Sequence, residues 1–132
     1  MVPWSAAARR FEAPALAHLA TLSKDGSPRS TPVWVDREGE TDLVFFTLSS
    51  SVKVRQIAAD PRVALSIVSP DNPLDHATVY GQVVRQVDGE AGMAIVDRIS
   101  HKYTGQPYDL RDGLVAMVVR PTGWAAHDAS EY

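Results

Sequence analysis

The segment Thr47-Leu48-Ser49-Ser50-Ser51-Val52-Lys53-Val54-Arg55-Gln56 sets three serines and two cations where a strand pattern gives way to a helical one. The first turn of a helix has free backbone N–H groups and a partial positive charge. Lys53 and Arg55 lie at that same end. There they oppose the helix dipole unless an anion compensates. Hydroxyls, free amides and cations together make a phosphate cradle. The same residue types also suit a serine N-cap beside solvated cations, and the segment alone leaves both readings open. Lys53 and Arg55 are two positions apart, so they point to nearly opposite helix faces, whereas Lys53 and Gln56 share one. Lys53 is therefore the stronger phosphate candidate. Arg55 suits an intersubunit or structural pair.

A second stretch, Asp25-Gly26-Ser27-Pro28-Arg29-Ser30-Thr31-Pro32-Val33-Trp34-Val35, has a proline inside an apparent strand. Proline donates nothing to a ladder, so this strand is an edge or is broken at Pro32. An edge with unpaired backbone groups can hydrogen-bond the polar rim of a planar heterocycle. Arg29, Ser30 and Thr31 add polar groups beside it. The other reading is edge protection by Pro32, with Trp34 in the core.

The remaining chemistry is sparse. The four histidines, His18, His76, His101 and His127, show no metal spacing such as HxxxH or HxH. His18 falls in an apolar strand pattern and is expected in the core. His76 follows a proline-rich loop and can reach a ligand. His101 is expected to be solvated. There is no GxSxG, Walker A, GxGxxG or EF-hand pattern, and no carboxylate pair is placed for acid–base work. The sequence has no cysteine, which removes thiol nucleophiles, thiolate metal sites and disulfides together. Any redox chemistry must therefore come from a borrowed cofactor. Tyr80 can cover a ring, and Gly81 beside it marks a bulge or a close backbone approach. Tyr103-Thr104-Gly105-Gln106-Pro107-Tyr108 can form a pocket wall or simply end a helix.

The elements that must position these residues fit one domain spanning the 132 residues. Hydrophobic residues at 45% and charged residues at 22% are ordinary for a folded domain. A net charge of −3 argues against a general nucleic-acid binder. No apolar run is long enough to span a bilayer, and the first residues lack the apolar stretch of a secretory leader. The expected location is the cytoplasm. A short helix is predicted over residues 5–13, N-capped by Ser5 and ended by Pro14. From Ala15 the period becomes two, which predicts a strand buried on most of its surface. Arg29 to Val35 and Leu43 to Thr47 follow as strands, with a turn at 36–40, and the three form an antiparallel meander. A helix over 51–59, strands over 63–68 and 77–87, a helix after Asp88 with stripe Met93, Val96, Ile99 and Tyr103, and a strand over 114–119 stopped by Pro121 complete the order. The pattern predicts an α+β, mainly β fold: a six-stranded antiparallel split β-barrel over about residues 15–124. A barrel of this size is filled by side chains, so a ligand must bind outside it, in a groove or at a subunit boundary.

Four segments in order give the chain a family resemblance. They are Leu19-Ala20-Thr21-Leu22 with Asp25-Gly26-Ser27-Pro28; Thr31-Pro32-Val33-Trp34; Lys53-Val54-Arg55-Gln56-Ile57 with Asp60-Pro61-Arg62-Val63; and Lys102-Tyr103-Thr104-Gly105 with Pro107-Tyr108. Over roughly residues 14–124 the chain resembles the split β-barrel flavin and deazaflavin proteins related to pyridoxamine 5'-phosphate oxidase. Within that group it is most similar to actinobacterial F420-dependent oxidoreductases. Gln56 departs from the Asn common at that position. The resemblance implies a homodimer with two cofactor sites at the subunit interface. It implies a cofactor phosphate near Ser49, Ser50, Ser51 and Lys53. It implies a ring along Arg29, Ser30, Thr31, Pro32, Phe46 and Thr47. Part of the ring's cover then comes from the other subunit, with His76 and Tyr80 as candidates.

The leading expectation is an oxidoreductase that passes a hydride between reduced coenzyme F420 and a conjugated organic acceptor, with no essential protein nucleophile. An FMN-binding, pyridoxamine-phosphate-oxidase-like oxidoreductase is the alternative, since flavin and deazaflavin share ring shape and a ribityl phosphate. A non-catalytic cofactor carrier or small-molecule binding protein is a reading of a different class.

Overall fold

The structure is a computed structural model and describes residues 2–128. Helix α1 (Trp4–Ala8) runs into a 3-10 turn at Arg9–Glu12. The strands are β1 (Ala17–Leu22), β2 (Pro28–Val33), β3 (Val35–Glu38), β4 (Asp42–Leu48), β5 (Arg62–Val68), β6 (His76–Val87) and β7 (Leu114–His127). Helix α2 (Val52–Ala59) separates β4 from β5, and α3 (Gly89–Thr104) separates β6 from β7.

All pairings are antiparallel, in the order β2-β1-β5-β6-β7-β4-β3. The two outermost strands, β2 and β3, are separated in the chain only by Trp34. A sheet whose opposite edges are joined by one residue must curl until those edges meet. That closure is the barrel. Residues 28–38 form one long extended run that changes partner at Trp34. Its first half pairs with β1, from Ala17↔Val33 to Leu22↔Pro28, and its second half with β4, from Val35↔Phe45 to Glu38↔Asp42. The split barrel is thus as expected, but with seven strands rather than six.

The expected meander forms only through the shared run 28–38, which pairs with β1 in its first half and with β4 in its second; β2 itself has no ladder to β4. The expected turn at 36–40 is shorter, because β3 continues to Glu38. The expected stop at Pro121 also fails, since β7 runs on to His127. The last β4–β7 pair is Leu43↔Val119, so beyond it β7 has β6 as its ladder neighbour and a missing N–H toward β4 costs nothing. Pro3 occupies the N-cap position of α1 in place of Ser5, with no side-chain cap bond.

Gly81 behaves as its position in a long strand predicts. The β6–β7 register shifts between Tyr80 and Gly81. A Cβ on Gly81 would lie 2.4 Å from the backbone oxygen of Arg120, so only glycine fits. Gly105, at φ 75°, gives α3 its left-handed stop.

Two apolar clusters divide the molecule. The barrel interior holds Leu19, Val35, Leu43, Phe45, Leu65, Ile67, Val79 and Met117, with Phe11 and Ile57 closing in from the helical segments. It is filled, as a small barrel must be. The second cluster lies outside the barrel, where α3 covers β4 and β7. Val96 and Ile99 pack there on Val44, Phe46, Ala116 and Val118, with Trp34, Tyr103 and Tyr108 at the edge. No helix among the described residues is long and apolar enough to cross a membrane.

Candidate functional site

The parting of β2 from β4 makes a cleft. Past the Val35↔Phe45 pair the two strands diverge, and the gap between them is about 380 Å³. Pro32, Val33 and Trp34 line one side, and Phe46, Thr47 and Leu48 the other. Leu16, Leu114 and Tyr108 close the ends, and Lys53 reaches in from α2. The β4 residues Phe46, Thr47 and Leu48 pair on their far side with Ala116, Val115 and Leu114 of β7. Their near side faces the cleft without a ladder. A planar ligand slid between the strands would meet those backbone edges and apolar walls above and below.

Aromatic packing sets the inner wall. Trp34 stacks on Tyr103 with ring centroids 4.9 Å apart and planes 5° from parallel. Phe46 and Tyr108 meet edge-on at 4.9 Å, and Trp34 lies 6.1 Å from Phe46 and 6.0 Å from Tyr108. Below this wall, the Tyr103 hydroxyl donates to the Ala15 carbonyl (2.6 Å) and accepts from the Val35 N–H (3.2 Å). Burial raises the Tyr103 phenol above its ordinary value, so it stays a neutral donor. The Lys102 ammonium donates to the carbonyls of Phe11 and Val35, beside the Asp36 carboxylate. Burial lowers its pKa, and Asp36 partly restores it. Tyr103 and Lys102 therefore fix the point where the long strand changes partner. They do not line the cleft.

A second, polar cavity of about 480 Å³ adjoins the cleft through Lys53. Thr21 and Gln56 line it with Arg29, Thr31 and Val52. The Thr21 hydroxyl donates to Gln56 Oε1 (2.7 Å), and Gln56 Nε2 donates to the Ser23 hydroxyl (3.3 Å). Arg29 Nε donates to the same Ser23 hydroxyl (3.0 Å). Two cations, Arg29 and Lys53, thus flank a pocket whose other polar groups are hydroxyls and amides. That donor set suits an anionic oxygen cluster.

The sequence candidates divide accordingly. Pro32, Phe46, Thr47 and Lys53 meet in the cleft, and Arg29, Thr31 and Lys53 in the polar cavity. Ser30 is exposed on β2 and lines neither. The three serines do not form one cradle. Ser49 donates its hydroxyl to Gly113 (3.1 Å) and lines a different hollow beside α3. Ser50 is exposed, and its carbonyl accepts from Arg55 Nη1 (3.3 Å). Ser51 holds the N-cap position of α2 without a side-chain cap bond, and its hydroxyl accepts from Thr47 (3.2 Å). Arg55 lines neither cavity, as its helix face predicts.

His76 and Tyr80 lie on β6 and line neither cavity of their own chain. His76 instead meets His127, with ring centroids 5.3 Å apart, and Tyr80 is 54% exposed. His18 is exposed rather than buried, because Ala17, Leu19 and Thr21 take the inward face of β1. Tyr108 belongs to the segment expected as a pocket wall and does line the cleft, whereas Trp34 and Leu48 are cleft residues that residue types alone do not single out for it. The roles of all three depend on the change of strand partner and on the fold of the 105–113 segment.

Among the residues lining the cleft, Lys53 and Tyr108 are the titratable ones. There is no carboxylate–histidine pair there to move protons. The cleft's shape and lining suit binding and orienting a flat group.

Comparison with known proteins identifies the class. The pyridoxamine 5'-phosphate oxidase family model matches residues 4–128, and the chain belongs to that family. Among solved structures, one described as an F420 reductase is 32% identical, covers 89% of this chain and 94% of its own, and superposes with a TM-score of 0.79. A conserved hypothetical protein from Mycobacterium tuberculosis is 19% identical over 97% of this chain and 86% of its own, with a TM-score of 0.81. General Stress Protein 26 from Bacillus anthracis is 16% identical over 93% of this chain and 92% of its own, with a TM-score of 0.71. The last two share the fold. No curated protein matches the chain.

Proposed function

We propose that this protein is an F420-dependent oxidoreductase that passes a hydride between reduced deazaflavin and a conjugated organic acceptor. The carrying observation is the cleft between β2 and β4, joined through Lys53 to a cavity holding Arg29. Its residues fit a planar ring bearing a phosphate side chain. Unladdered backbone of Phe46–Leu48 faces the ring edge, Trp34, Phe46 and Tyr108 wall it, and Lys53 with Arg29 meets the anion. The 32%-identical relative described as an F420 reductase supports F420 over other ring systems. When bound, the deazaflavin supplies the hydride chemistry, and the protein supplies position and a dry wall.

In this reading a homodimer completes the site, since the cleft is open on one side of each chain. Leu16 (50% exposed) just before β1, Val68 (46%) at the end of β5 and Tyr80 (54%) on β6 are large apolar side chains left at the surface. His76 and Tyr80 of one chain would cover the cleft of the other.

Equilibrium titration of the purified protein with F420 and with FMN tests the reading. Tight, saturable binding of F420 with weaker FMN binding is expected. Binding of FMN alone would transfer the proposal to a flavin oxidoreductase. Oxidation of reduced F420 across a panel of acceptors then separates enzyme from carrier, and no turnover on any of them favours the carrier.

A further inference from the structure

The 105–113 segment carries Tyr108 to the cleft, and its grip comes from outside the cleft. The Tyr108 N–H donates to Asp97 Oδ1 on α3 (3.1 Å), and the Tyr108 carbonyl accepts from Arg111 Nη1 (2.9 Å). Arg111 closes the ring of bonds by donating to both Asp97 oxygens, at 2.8 and 2.9 Å. Asp109 and Leu110, between the two gripped residues, are exposed. Single exposed ion pairs contribute little. This one is bidentate and also holds both backbone polar groups of one residue, which makes it a geometric device. Neither Asp97 nor Arg111 lines the cleft. Both reach it through the Tyr108 ring, 4.9 Å from Phe46 and 6.0 Å from Trp34.

We propose that Asp97 and Arg111 are positioning residues for the ring-binding cleft, a clasp between α3 and the 105–113 segment that sets Tyr108 as its wall. The proposal rests on the cleft reading above. The low pKa of Asp97, about 2, agrees with a carboxylate held by Arg111 and the Tyr108 N–H.

A double-mutant cycle on cofactor affinity tests it. Asp97→Ala is expected to weaken binding of F420, or of FMN if that is what the protein binds, by about 3- to 10-fold. In a Tyr108→Ala background the same change should cost less than about twofold. Equal losses in both backgrounds would overturn the proposal. Arg111→Ala, on an exposed loop, gives the same cycle should Asp97→Ala fold poorly. Amide exchange supplies a reading that needs no cofactor. Either variant should speed exchange at Tyr108 by about 10-fold or more while Val96 and Ile99 on α3 stay protected. Unchanged exchange at Tyr108 would remove the clasp. A wild-type protein that binds neither cofactor, yet shows the faster exchange in the variants, would remove the cofactor reading and keep the clasp.

Discussion

Phe45 and Phe46 are neighbours on β4, yet they belong to different cores. Phe45 is fully buried in the barrel interior with Leu19, Leu65 and Met117. Phe46 points the other way, 9% exposed, into the outer cluster with Val96, Ile99, Trp34 and Tyr108. The interior is closed on all sides and largely aliphatic. The outer cluster is aromatic where it borders the cleft and lacks a neighbour there. A closed core can only stabilise. A core with one unfilled side can also bind.

Mutation of the two phenylalanines separates the two cores. Phe45→Ala should lose about 3–5 kcal/mol of stability, because the filled interior cannot collapse around the hole. Urea unfolding measures it. Phe46→Leu keeps most of the apolar volume, so its stability cost should stay under about 1.5 kcal/mol. Its cofactor affinity should nevertheless fall, by about 0.5–1.5 kcal/mol, because an aromatic contact is gone. If Phe46→Leu loses stability and leaves affinity unchanged, the two clusters do not differ as argued.

The polar end of the site sharpens the same contrast. Lys53→Ala is expected to weaken cofactor binding by about 1–3 kcal/mol, the range for losing a charged hydrogen-bond partner. Arg55→Ala, one helix face away and bonded to the Ser50 carbonyl, should change it little. Equal effects from both would mean that long-range charge, and not the cavity, attracts the anion.

Much of this arrangement could be read in the residues, and the gaps have a common cause. The opposite faces of Lys53 and Arg55, the close approach at Gly81 and the Val96–Ile99 stripe follow from local periodicity and sterics. Alternation in β1 showed two faces but not which one turns inward, so His18 was expected in the core and is exposed. The change of partner at Trp34 depends on which strands flank it, and nothing in residues 28–38 states that. Three adjacent serines looked like one cradle. They separate because Ser49 is tied to Gly113, 64 residues further along. Tyr108 enters the cleft through bonds to α3 that no local pattern encodes.

The smallest expected effect is electrostatic. Arg111, then the Tyr108 N–H, hold the Asp97 carboxyl at about 2, below its ordinary 3.8. Folding lowers this pKa, so the unfolded chain takes up the proton more readily. The contribution of the pair is full above about 3.8 and is lost as pH falls through about 2. Carboxyl NMR titration checks this, and Arg111→Ala should return Asp97 toward 3.8.

In the proposed function the cofactor ring lies where β2 parts from β4. Titration of the isotopically labelled protein with F420, followed by amide chemical shifts, tests it most directly. The largest changes should fall on Thr31, Val33 and Trp34 along one side and on Phe46, Thr47 and Leu48 along the other, with Lys53 following. Saturable binding whose largest shifts fall elsewhere, with these amides unmoved, would contradict it.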